Sequence, residues 1–194
     1  MPRRLLQLFA LVAGLLPAWA SAQEPGGPPS REELKRFLEQ PENATRFEAF
    51  KAFLQKQEVA GVVAPEELLR QGTDWAALRV DPFVVPPKKY WPRIVPVLKL
   101  IQRELKPGLG ELEVMSAYRT PAYNQAAGGA RRSRHLTFEA LDLQPKGDLS
   151  RAETHALLEA IWKQKGAAYK LGLGLYDGTR FHVDTHRHRT WRGK

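Results

Sequence analysis

The chain has 194 residues, 43% of them hydrophobic, and no cysteine. This length and apolar content fit one globular domain and exclude a disordered chain, and the missing cysteine excludes disulfides, thiolate metal sites and a cysteine nucleophile, so any metal must be held by His, Asp or Glu. The formal charge of +9 suits an anionic partner, and no nucleic-acid-binding motif accompanies it.

Residues 1–22 read as a secretory signal peptide, with Arg3 and Arg4, an apolar run from Leu5 to Leu16, and the small residues Ala20-Ser21-Ala22 at the cleavage site. The run is shorter than the ~20 residues that span a bilayer. The expectation is an exported protein, periplasmic or secreted, that begins near Gln23 and keeps no stable membrane span. Losing Arg3 and Arg4 leaves 28 basic residues against 21 acidic ones, a mature charge of +7. For an exported protein the anionic polymer is cell wall rather than nucleic acid.

Residues 23–29 are rich in Pro and Gly and read as a flexible lead-in. Ser30 with Glu33 predicts a capping box and a helix through about Glu39, and Thr45 with Glu48 predicts a second start. Phe47, Phe50, Phe53 and Leu54 fall on one face of that second helix and read as packing residues. Pro65 can open a short helix with Leu68 and Leu69. The prolines within residues 81–92 read as an extended connector. Residues 23–80 are therefore assigned to a helical extension and residues 81–194 to the main domain.

Ile94, Val97, Leu98, Ile101 and Leu105 predict a helix that Pro107-Gly108 should stop. Residues 112–116 alternate as a strand. Ser150 with Glu153 caps a helix carrying Leu157, Leu158, Ile161 and Trp162, on which His155 reads as a surface or structural residue. Residues 172–176 and 180–185, joined by the Asp177-Gly178 turn, read as a hairpin. Helices around a small antiparallel sheet make the fold class α+β.

The candidate chemistry lies in SAYRTPAYNQAAGGARRSRHLTFEALD, residues 116–142, and in FHVD, residues 181–184. His135 and Asp142 are seven residues apart, which on one helix would separate them by about 10 Å along the axis. A metal with ligand bonds of ~2 Å cannot bridge that, whereas a loop followed by a strand can bring both to one ion. Residues 138–143 read as that strand, with Phe138, Ala140 and Asp142 on one face. On the later strand His182 and Asp184 face away from Phe181 and Val183. A two-His, one-carboxylate site with an open position is the catalytic form of a zinc site, able to acidify water and polarise a carbonyl. By spacing alone the pattern is equally that of a half-exposed His near an Asp.

Ser116-Ala117-Tyr118-Arg119-Thr120-Pro121, Tyr123-Asn124, Gly128-Gly129-Ala130, Ser133-Arg134-His135, Ala140-Leu141-Asp142 and His182-Val183-Asp184 together resemble the zinc D-alanyl-D-alanine carboxypeptidase family. These are peptidoglycan metallopeptidases of the Hedgehog/DD-peptidase fold, and the likeness covers about residues 90–192, in the family's order. The resemblance implies Zn2+ bound by His135, Asp142 and His182. It implies that Arg119 lies near the metal, holding a substrate carboxylate or polarising the scissile carbonyl, and that Ser133 touches substrate. It implies a peptidoglycan or muropeptide substrate, cut by carboxypeptidase or endopeptidase action.

Two positions depart from the family. Many members carry Gly where this chain has Phe138, whose ring on the metal-facing side would narrow the pocket. Many members also place an acid or histidine base at the positions held here by Thr179 and Arg180. That leaves Asp184, Asp177 and His186 as candidate bases in that order, with Asp184 also placed to orient a metal ligand and His186 in a basic tail. A wall-binding protein that keeps the fold without turnover is the alternative reading.

Overall fold

The computed structural model describes residues 27–193. Its helices are α1 (Arg31–Leu38), α2 (Pro41–Lys56), α3 (Trp75–Leu78), α4 (Trp91–Leu100), α5 (Lys106–Leu109), α6 (Pro121–Ala126) and α7 (Arg151–Tyr169). The strands are β1 (Leu112–Ser116), β2 (Ala140–Pro145), β3 (Gly172–Leu175), β4 (Phe181–Asp184) and β5 (Arg189–Arg192). They form one sheet in the order β1-β2-β4-β3-β5. The fold is α+β. The proposed signal peptide lies outside the described residues, among which no helix is long and apolar enough to cross a membrane.

The local sequence explains most of these boundaries. Ser30 and Ser150 make complete capping boxes with Glu33 and Glu153, satisfying otherwise orphan N–H groups at the starts of α1 and α7. The expected second capping box does not form. Helix α2 starts earlier, with Pro41 in its first turn, and Thr45 lies inside it, its Oγ1 donating to the Pro41 carbonyl at 2.8 Å. Pro at a first helical position loses nothing, because its missing N–H would have been orphaned there anyway. The helix expected to stop at Pro107-Gly108 also runs on. It passes through a π-type turn (Ile101–Leu105) into α5 and ends at Gly110, whose φ of +72° closes it.

The sheet is mixed rather than wholly antiparallel. β1, β2, β4 and β3 are antiparallel to their neighbours, but β5 pairs in parallel with β3. The segment read as a basic tail thus returns as an edge strand. Gly178, at φ +75°, forms the β3–β4 turn.

One continuous apolar core takes residues from both sides of position 80, including Phe50, Leu54, Leu68 and Leu69 before it and Ile94, Leu141, Leu173 and Phe181 after it. Phe50 stacks at 5.2 Å from Trp91 and 5.9 Å from Phe138. His155 is buried on α7, where burial is the main cause lowering its pKa.

Candidate metal centre

A single row of opposed residues crosses the sheet. Ser116 pairs with Asp142, Asp142 with His182, His182 with Gly174, and Gly174 with Trp191. Directly opposed residues project from the same face of a sheet. This register therefore puts Asp142 and His182 side by side. His135 reaches the same point from a 3-10 turn, Arg134–Thr137, that precedes β2. All three side chains are buried.

Three ligand-type atoms converge there. Asp142 Oδ1 lies 3.0 Å from His182 Nδ1 and 3.3 Å from His135 Nε2, and the two histidine nitrogens are 3.3 Å apart. A tetrahedral ion with bonds of about 2.0–2.1 Å separates its ligands by about 3.3 Å, so this triangle fits zinc without rearrangement.

Each outer nitrogen has an acceptor of its own. His135 Nδ1 lies 2.6 Å from the Ala117 carbonyl, which can only accept, so Nδ1 carries the proton and Nε2 presents a lone pair. His182 Nε2 lies 3.2 Å from Asp184 Oδ2, and an ionised carboxylate also only accepts. His182 Nδ1 lies 3.0 Å from Asp142 Oδ1, so a carboxylate faces each nitrogen of this ring; with an ion bound, Nε2 would keep its proton toward Asp184 and Nδ1 would present the lone pair. His135 Nε2, His182 Nδ1 and the Asp142 oxygen meet at one point, with the outer nitrogens pinned as metal-binding histidines require.

The two rings differ in their preference for charge. Burial is the largest cause pushing the His135 pKa down, to about 4, so the ring is neutral. Burial pushes Asp142 up, but His135 and His182 outweigh it and hold the carboxyl well below its usual range. Burial likewise disfavours a charged His182, yet Asp142 and Asp184 on either side raise it.

The model of the peptidase M15 family matches residues 61–184. The chain belongs to this family. No curated protein matches it, and no solved structure does. The match agrees with the resemblance carried by the 116–142 and 181–184 motifs, and its start at residue 61 takes in the segment before β1 that also builds the site.

In this M15 chain two arginines hold the outer oxygen of Asp142. Arg119 Nη2 donates to Oδ2 at 2.8 Å and Arg180 Nη2 at 3.3 Å. Arg119 Nε donates to Ser116 Oγ at 2.8 Å and to the Gln71 carbonyl at 3.2 Å. Its Nη1 makes no hydrogen bond among the described residues, on a side chain that lines the cleft. Gln71 Oε1 accepts from both the Thr120 N–H and its hydroxyl, and Thr73 Oγ1 takes the other arm of Arg180. Gln71 and Thr73 escaped the sequence reading, because nothing local distinguishes a Gln or Thr that acts 45 to 107 residues away.

The cleft over His135 and His182 has a volume of about 350 Å³ and is lined by Arg119, Arg132, Arg134 and Arg189, with no acid among its lining residues. Ser133, Tyr176 and Trp191 also line it. Ser133 caps the turn bearing His135, its Oγ accepting the His135 N–H at 3.4 Å. Burial first, and the nearby Asp142 charge next, push the Tyr176 phenol upward, so it stays protonated at neutral pH.

None of the three expected bases lies in the cleft. Asp184 is fully buried behind the His182 ring, bound to its outer nitrogen, and its two oxygens are occupied by the His186 N–H and by Arg189. Burial raises its pKa, but those partners overcome it and hold the carboxyl at about 2. Asp177 is an exposed turn residue facing Arg151 at 3.4 Å. The His186 side chain is exposed.

Phe138 is not on the metal-facing side either. It has φ +57° and ψ +38°, which breaks the alternation before β2 begins, and its ring is fully buried against Phe50 and Tyr118. A left-handed residue is required between the His135 turn and β2. That accounts for glycine at this place in the resembling family.

Proposed function

We propose that this M15 chain is an exported zinc metallopeptidase that hydrolyses an amide bond in peptidoglycan peptides. The observation that carries the reading is the convergence of two imidazole nitrogens and one carboxylate oxygen at separations that suit a tetrahedral ion, beneath an open cleft. His135 Nε2, Asp142 Oδ1 and His182 Nδ1 would hold the zinc. Zinc at such a site supplies a Lewis acid for a carbonyl oxygen and lowers the pKa of water to about 7.

The chain's own groups do the rest. The arginine-lined cleft attracts a peptide bearing carboxylates, which stem peptides of cell wall carry. Arg119 is rigidly held by Ser116, Gln71 and Asp142, so its Nη1 is a fixed donor for a substrate carboxylate or for charge developing on the scissile carbonyl oxygen. Tyr176 keeps its phenolic proton and can donate it as a hydrogen bond to the same oxygen. Ser133 orients the turn bearing His135. Asp184 orients His182 and does not take the proton from water.

The test is the zinc content of the purified protein together with digestion of muropeptides. The expected result is one zinc per chain and a metal-dependent release of D-alanine or a shortened peptide, both lost in His135→Ala. Zinc without cleavage would favour a wall-binding protein, and no zinc after reconstitution would end the metal reading. Export is supported by the basic start, apolar run and small-residue site of residues 1–22. A mature N-terminus at Gln23 would check it.

A further inference from the structure

β5 and β4 are not neighbours, because β3 runs between them. Two strand spacings amount to about 9.5 Å, and an intervening side chain would normally block contact across them. β3 carries glycine at both positions that share the site's face, Gly172 and Gly174. A Cβ on Gly172 would collide with Asp184 Oδ2 and lie 2.8 Å from Arg189 Nη1. The missing side chain is the passage through which Arg189 of β5 reaches Asp184 of β4.

The contact made there is a fork. Arg189 Nη2 donates to Asp184 Oδ2 at 2.7 Å and Nη1 donates to Oδ1 at 3.2 Å. The same Oδ2 faces His182 Nε2 at 3.2 Å, and Oδ1 also accepts the His186 N–H at 3.0 Å. Asp184 is thereby fixed in rotation, and through it the His182 ring. One row further along, Trp191 crosses Gly174 in the same way and brings its ring to 5.2 Å from His182.

We propose that Arg189 is a positioning residue for the metal site: it reaches over Gly172, locks the Asp184 carboxylate with two donors, and through it holds His182 with Nδ1 facing the ion. In this role Arg189 acts on the metal site through another side chain. The inference rests on the metal reading given above.

The test is the zinc dissociation constant of the metal-free protein, measured by competition with a chromophoric chelator, alongside its melting temperature. Loss of a hydrogen-bonded partner behind a metal ligand typically weakens metal affinity by about 10- to 100-fold. Arg189→Met and Asp184→Asn should each do so, and the double variant should bind no worse than the weaker single, because both break one chain of contacts. Arg189→Lys, which keeps the charge but not the fork, should lie between wild type and Arg189→Met. Wild-type affinity in Arg189→Met, or losses that multiply in the double variant, would overturn the proposal. If Arg189→Met does not fold, Arg189→Lys decides alone, and unchanged affinity there overturns it. A wild-type protein that binds no zinc would instead defeat the metal reading itself.

Discussion

Phe138→Gly separates two roles for one ring. If the ring faced the metal, glycine would widen the cleft and relieve a left-handed backbone at no loss. The structure puts the ring in the core, fully buried against Phe50 and Tyr118. Removing a buried Phe side chain costs about 3–5 kcal/mol. Relief of the positive φ returns about 1–2 kcal/mol. The net loss is about 1–4 kcal/mol, which for a domain of this size lowers the melting temperature by about 2–16 °C. With a urea m-value of about 2 kcal/mol/M, the midpoint moves down by about 0.5–2 M. Urea titration of the metal-free protein measures this without interference from zinc. A variant as stable as wild type, with altered substrate preference, would refute the core placement.

Tyr176→Phe removes a protonated donor from the cleft and should lower kcat by about 10²- to 10³-fold with zinc content unchanged, measured by muropeptide turnover and metal analysis. Gly174→Ala puts a Cβ 2.6 Å from Trp191 Cζ2, so the ring must move. Overpacking of this kind costs about 1–3 kcal/mol and should reduce kcat/KM as the cleft wall shifts. Gly147→Ala, where nothing lies within 4 Å, is the matched control and should change neither stability nor turnover.

The parts legible in the sequence were those with short-range causes. Both serine capping boxes, the Asp177-Gly178 turn and the alternation that turns Asp142 and His182 to one face follow from neighbours a few residues away. His135, Asp142 and His182, which the structure brings together, were singled out by their resemblance to a family motif and not by spacing alone. What was hidden depends on distant partners. Phe138 sits at the expected strand's start, but its backbone is set by the turn that must aim His135. Thr45 lost its capping role because Pro41 could start the helix earlier. Gln71 and Thr73 lie in a segment with no chemistry of its own, and only the folded chain brings them under Arg119 and Arg180. Strand β5, four residues between basic side chains, has no apolar alternation to announce it. Its pairing exists because two glycines on β3 leave room for Arg189 and Trp191.

The edge position of β5 gives the site a separate clock. A four-residue edge strand, paired in the sheet with β3 alone and otherwise tied to α7 through Trp162 and Arg192, opens at lower free energy than the sheet interior. Such an opening would lift Arg189 from Asp184 while the β2–β4 pairing kept Asp142 and His182 in register. Exchange of a bound ion would then follow the breathing of one strand and not the unfolding of the domain. Amide protons of Thr190 and Trp191 should accordingly exchange well ahead of those in the β3–β4 hairpin. A tightly held metal and a readily replaced one need not be opposites in this fold.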